Sequence, residues 1–124
     1  MYQGPERRRY PRLNIGFIVS HRVKDTDDHY YLSQTKNISQ GGMLLTTGRQ
    51  YDASTHLEMT LRFPFSRKIK VTGEVLESRE IARNLIWATR VQFLDMETII
   101  SQQLGDFVEA KLLNNQPTQN WGGR

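Results

Sequence analysis

Two short stretches carry side chains whose types and spacing suit the capture of a phosphorylated ligand. In "RRRYPR" four arginines, Arg7, Arg8, Arg9 and Arg12, fall within six positions, ahead of any hydrophobic run. A guanidinium grips a phosphate through two parallel hydrogen bonds and can also lie flat on a base. In "NISQGG" Asn37 and Ser39 stand two apart, so at the end of a strand both side chains point to one side. Asn37 brings a carbonyl and two amide donors, Ser39 a hydroxyl. Together they can hydrogen-bond the edge of a base. Gly41 and Gly42 allow a sharp turn and a close approach of backbone to ligand. Each stretch also has a plainer reading, the arginines as a solvated basic tail and the second stretch as an ordinary β-turn. Joined, a guanidinium-rich arm and an amide, hydroxyl and glycine floor could hold a guanine and its phosphates at once.

Other chemistry is missing. The chain has no cysteine, which removes thiol nucleophiles, disulfides and thiolate metal sites. His21, His29 and His56 are scattered without an HExxH arrangement, and read as surface or strand histidines rather than ligands. "DTDD", with Asp25, Asp27 and Asp28, lacks the glycine and distant glutamate of a calcium loop and reads as a hairpin turn. No glycine-rich phosphate loop occurs. No enzymatic activity, metal or cofactor is expected.

The elements that would position the two stretches are mostly strands. Leu57, Met59, Leu61, Phe63 and Phe65 alternate with His56, Glu58, Thr60, Arg62 and Pro64, the pattern of a half-buried antiparallel strand. Ile15, Phe17, Val19 and Val23 share a face interrupted by His21; Ile69, Val71 and Val75 share another, as do Leu85, Trp87, Val91 and Phe93. "YYLSQTKNI" and "MLLTT" have strand-like composition with noisier alternation. Polar turns are expected at 24–28, 39–42, 48–54, 64–68 and 79–84. Six short strands so connected predict a closed or nearly closed antiparallel β-barrel, which hides its edges. After Asp95 the period becomes four, through Met96, Ile100, Leu104, Val108 and Leu112, with Ile99 and Phe107 beside them. This predicts a helix over about 96–113, capped by Asp95. Gly105 costs that helix about 1 kcal/mol relative to alanine, so it should depend on packing against the barrel. The fold class is therefore all-β with a C-terminal helix. Residues 1–12 form an expected flexible arm, 13–113 a single domain, and 114–124 a disordered tail.

The net charge is +4, from 17 basic and 13 acidic side chains. With four of the basic groups in the arm, the body is near neutral. Concentrated charge suits a compact anionic partner better than a diffuse polyanion. No apolar run approaches the roughly 20 residues that span a bilayer, and no signal-peptide stretch is present, so membrane insertion is not expected and a cytoplasmic location is.

"RRYPR" and "NISQGG" resemble the RxxxR and [DN]xSxxG motifs of the PilZ domain family, bacterial receptors for cyclic di-GMP. Their order, their separation and the barrel-then-helix pattern are similar too, over residues 6 to about 112. The resemblance implies that Arg8 and Arg12 grip phosphates and stack on guanine, while Asn37, Ser39 and Gly42 contact guanine from the barrel surface. It also implies that Arg7, just ahead of RxxxR, accompanies an intercalated pair of ligand molecules. Relatives often carry glycine where this chain has Arg90, before "VQF". The extra charge either joins the ligand surface or is solvated, and solvation is the simpler reading. Trp87 is expected in the core.

The resemblance implies a non-catalytic cyclic di-GMP receptor whose liganded form engages another protein. The alternatives are a barrel that binds single-stranded nucleic acid and an interaction module that binds no nucleotide. Nucleic acid is the less fitting partner, because most aromatics fall on the core phase of strands rather than between exposed basic groups.

Overall fold

The computed structural model describes residues 10–62 and 68–114. Arg7, Arg8 and Arg9, Phe63 and Phe65, most of the expected 64–68 turn and the tail beyond Asn114 lie outside the described residues.

Six strands, β1 (Ile18–Val23), β2 (Tyr31–Ile38), β3 (Gly42–Thr47), β4 (His56–Arg62), β5 (Lys68–Ala82) and β6 (Ile86–Phe93), precede one helix, α1 (Thr98–Asn114). They close into an antiparallel barrel in the order β1-β2-β3-β6-β5-β4, with β4 returning to pair with β1. The strands form where alternation is cleanest. On β4, Leu57, Met59 and Leu61 are buried, and Ile69, Val71 and Val75 follow them on β5. Arg22 on β1 reaches Glu58 on β4 at 3.0 Å across the closing seam.

β2, one of the two noisy stretches, owes its irregularity to a bulge. On β2, Ser33 and Thr35 face inward, the register shifts between Thr35 and Asn37, and Ile38 then takes the buried side. An extra residue in one strand reverses the phase of all that follows. On β5 the shift between Val75 and Glu77 leaves Leu76 outside the ladder, 44% exposed.

α1 lays Leu104 and Val108 fully into the core, with Met96, Ile100, Phe107 and Leu112 packed against it. Gly105 has a use there. A Cβ there would displace the end of the Gln40 side chain, whose Nε2 donates to Ser101 Oγ at 3.2 Å.

Several local expectations need correction. His21 is a strand histidine as expected, on β1, but it faces into the barrel, 1% exposed, in the phase of Val19, with Nε2 2.7 Å from Ser33 Oγ. Ile15 and Phe17 precede β1, though both pack on the core. β5 runs on to Ala82, so residues 79–82 of the expected 79–84 turn are strand and the reversal is confined to 83–85, with Asn84 at φ 55°. Leu85 sits in that reversal, 68% exposed, rather than on the face of Val91, and Trp87 is only half-buried. Asp95 does not cap α1. Its Oδ1 accepts from Thr72 N at 2.7 Å, while the first helical bond runs from Ser101 N to Glu97 O. Ile99 points away from the stripe, 64% exposed.

Candidate functional site

The two motifs meet because the chain is tied down between them. Leu13 is buried and pairs with Ile38 through backbone bonds of 2.8 and 2.9 Å, which sets the preceding residues beside the end of β2. Arg12 Nη1 then donates to Asn37 Oδ1 at 3.4 Å. The bulge upstream turns Asn37 outward and Ile38 inward.

The turn after Ile38 is held by Ser39. Its amide donates to Gly42 O at 2.8 Å, its Oγ accepts from Gly41 N at 3.2 Å, and its hydroxyl lies 3.4 Å from Gly42 O. Ser39 is 8% exposed. Its hydroxyl is thus spent mainly on the turn, the arrangement that serine adopts where it caps its own backbone. Two glycines keep this turn flat against its neighbours. At Gly42 a Cβ would run into the Val91 carbonyl oxygen of β6, and at Gly41 it would stand 3.1 Å from the Tyr10 ring. Phe93 N donates to Gly41 O at 2.9 Å, fastening the turn to the end of β6.

The result is a cleft of about 200 Å³ on the barrel surface, lined by Tyr10 and Arg12 from the N-terminal segment, Ser39, Gly41, Gly42 and Met43 from the turn and β3, and Leu76, Arg90 and Gln92 from β5 and β6. Of the residues singled out in the sequence, Arg12, Ser39, Gly41 and Gly42 line it, and Asn37 joins it through Arg12. Arg7 and Arg8 lie outside the described residues. The sequence reading missed Tyr10, Leu76 and Gln92 and set Arg90 aside. Tyr10 had a signal, as the one aromatic inside "RRYPR". Leu76 had none, because the bulge that exposes it is a property of pairing.

A second hollow of about 460 Å³ lies beyond Tyr10, between the turn and α1, reaching Gln40, Met96 and Ser101. A third, about 530 Å³, is lined among the described residues by Phe17, Ile18, Tyr30, Thr60 and Arg62 on the β1 and β4 wall, with no motif residue among them.

Four groups away from the cleft have shifted titrations. Burial, with the Arg49 charge adding to it, pushes the His21 imidazole down to about 4. Burial raises the Tyr51 phenol. The hydrogen bond from Arg22 holds the Glu58 carboxyl below its usual range and raises Arg22 in turn. Among the described residues no group of histidine and carboxylate side chains is placed to hold a metal. Nor is any helix among them long and apolar enough to cross a membrane. The cleft offers guanidinium, amide and backbone donors with an apolar edge, a combination suited to a planar base carrying phosphate.

A family model described as PilZ domain matches residues 6–110. Among solved structures the chain is similar to the Bacillus subtilis inhibitor of motility MotI/DgrA, with a TM-score of 0.77 and 18% identity over 90% of this chain and 54% of that one. It is similar to K. pneumonia MrkH in its c-di-GMP complex, with a TM-score of 0.71 and 19% identity over 88% and 54%. The PilZ domain of Escherichia coli YcgR with c-di-GMP gives 0.64 and 14%, over 94% of this chain and 99% of that domain. The chain spans about half the length of the first two. At such identities the likeness is one of fold. No curated protein matches the chain.

Proposed function

The chain belongs to the PilZ domain family, and from that premise we propose that it is a non-catalytic cytoplasmic receptor for cyclic di-GMP that passes the signal to a partner protein. The observation that carries this reading is the contact between Arg12 and Asn37, which joins the two motifs at the rim of one cleft. The structures of MrkH and of the YcgR PilZ domain with c-di-GMP support the choice of ligand.

The geometry suggests an exchange of partners. At 3.4 Å the Arg12–Asn37 bond is longer than the usual 2.7–3.2 Å. A phosphate would draw the guanidinium into a shorter, charge-assisted pair and release the Asn37 amide to the edge of a guanine. Ser39 and Gly42 would keep the turn low enough for the base to rest on it. The cleft, about 200 Å³, is smaller than the roughly 300–1,000 Å³ of sites that enclose a small molecule. A dinucleotide would therefore lie across its rim and need a cover. Residues 1–9, with Arg7 and Arg8, are proposed as that cover, ordered when phosphates offset their mutual repulsion, and Arg7 is the reason for expecting two ligand molecules per site.

Titration calorimetry with cyclic di-GMP tests this reading and counts the ligands. Saturable binding is expected, weakened about tenfold or more in Arg12→Ala, since a hydrogen bond to a charged group contributes about 1.5–3 kcal/mol. An absence of binding heat at several temperatures would sink the receptor reading.

A further inference from the structure

We propose that Arg90 is a ligand-contacting residue of this cleft, giving the nucleotide a guanidinium rooted on a barrel strand, with Leu76 beside it as an apolar rest for a base. The inference rests on the receptor reading above and adds to it a cation outside both motifs.

Three observations carry it. Arg90 lies on β6 and lines the same cleft as Arg12, Ser39 and Gly42. It stands in register with Glu77 of β5 and Leu44 of β3, yet among the described residues no ion pair joins it to Glu77. A guanidinium with five donors thus faces the cleft beside a carboxylate it does not engage. The bulge at Leu76 is the third observation. It takes that side chain out of the ladder and leaves it 44% exposed at the cleft wall. Bulges re-aim side chains at functional sites, and an exposed leucine beside an uncommitted arginine gives a base a surface to lie on and a donor pair for its edge. Guanine O6 and N7 accept from arginine as a pair.

A strand residue is ordered before ligand arrives, so its contact carries less of the entropy penalty that ordering a segment entails.

The experiment is calorimetric titration of cyclic di-GMP into the wild type, Arg90→Ala and Arg90→Lys at several salt concentrations, with unliganded melting curves as a fold control. The exposed, unpaired Arg90 predicts unchanged melting in both variants. Arg90→Ala is expected to lose about tenfold or more in affinity and to show a shallower salt dependence. Arg90→Lys keeps the charge but not the fork, so it should keep the salt dependence and lose part of the affinity. Wild-type binding with Arg90→Ala within twofold of it and an equal salt slope would overturn this proposal while leaving the receptor reading intact. Absence of wild-type binding would overturn both.

Discussion

His21 is the residue whose chemistry differs most from what its place in the sequence suggests. It fills a core position between Ser33 and Tyr51, with Nδ1 3.5 Å from the Tyr51 hydroxyl, and the Arg49 guanidinium lies 4.6 Å above the Tyr51 ring. Burial and that nearby cation both disfavour the imidazolium, so the folded chain titrates near 4 and an unfolded one near 6.5. Between those values the unfolded state binds more protons, and stability falls as pH falls through the window. A displacement of this size amounts to about 3 kcal/mol, fully lost only below the lower value. A His21→Gln variant, which keeps a polar group for Ser33, should lack this component. Its melting temperature should therefore decline less than that of the wild type between pH 6.5 and 4. Parallel declines in the two proteins would show that His21 is not the group that titrates.

Among the elements, legibility followed regularity. β4 was plain in the sequence because nothing interrupts its alternation, and Leu57, Met59 and Leu61 are all buried as expected. β2 was not, because its inward positions before the bulge are Ser33 and Thr35, and the phase reverses before Ile38. Polar side chains that satisfy one another inside a barrel, as Thr47 and Thr89 do at 2.9 Å, leave no hydrophobic signal. The motif residues themselves were legible as chemistry. The cleft was not, since Leu76 and Arg90 join it through a bulge and a long-range strand pairing. One element-scale consequence concerns the seat of the turn on β6. Because a Cβ at Gly42 would meet the Val91 carbonyl, a backbone atom with no room to yield, Gly42→Ala should cost about 1–3 kcal/mol. It should also lift the turn away from β6. Denaturant unfolding would show this as a lower midpoint at an unchanged slope. An unaltered midpoint would mean that the turn does not depend on so close an approach.

For the whole molecule, the question is how a nearly neutral barrel and a basic N-terminus would act as one receptor under the proposed function. Most of the charge surplus of +4 falls in sequence on the arginine cluster, and α1 holds Gln40 of the 39–42 turn. A ligand that touches both arm and barrel should stabilise the folded state as a unit. At a concentration 100 times its dissociation constant, binding to the native state alone adds about 2.7 kcal/mol. For a domain of this size that is a rise in melting temperature on the order of 10 °C. The rise should shrink as salt is added, because the contacts are ionic, and it should be much smaller with GMP at equal concentration, because one phosphate and one base cannot span both parts. Differential scanning fluorimetry with cyclic di-GMP and GMP, at low and high salt, measures all of this in one series. If GMP raises the melting temperature as much as the dinucleotide does, the barrel alone is the binding site, and closure of the arm contributes nothing to recognition.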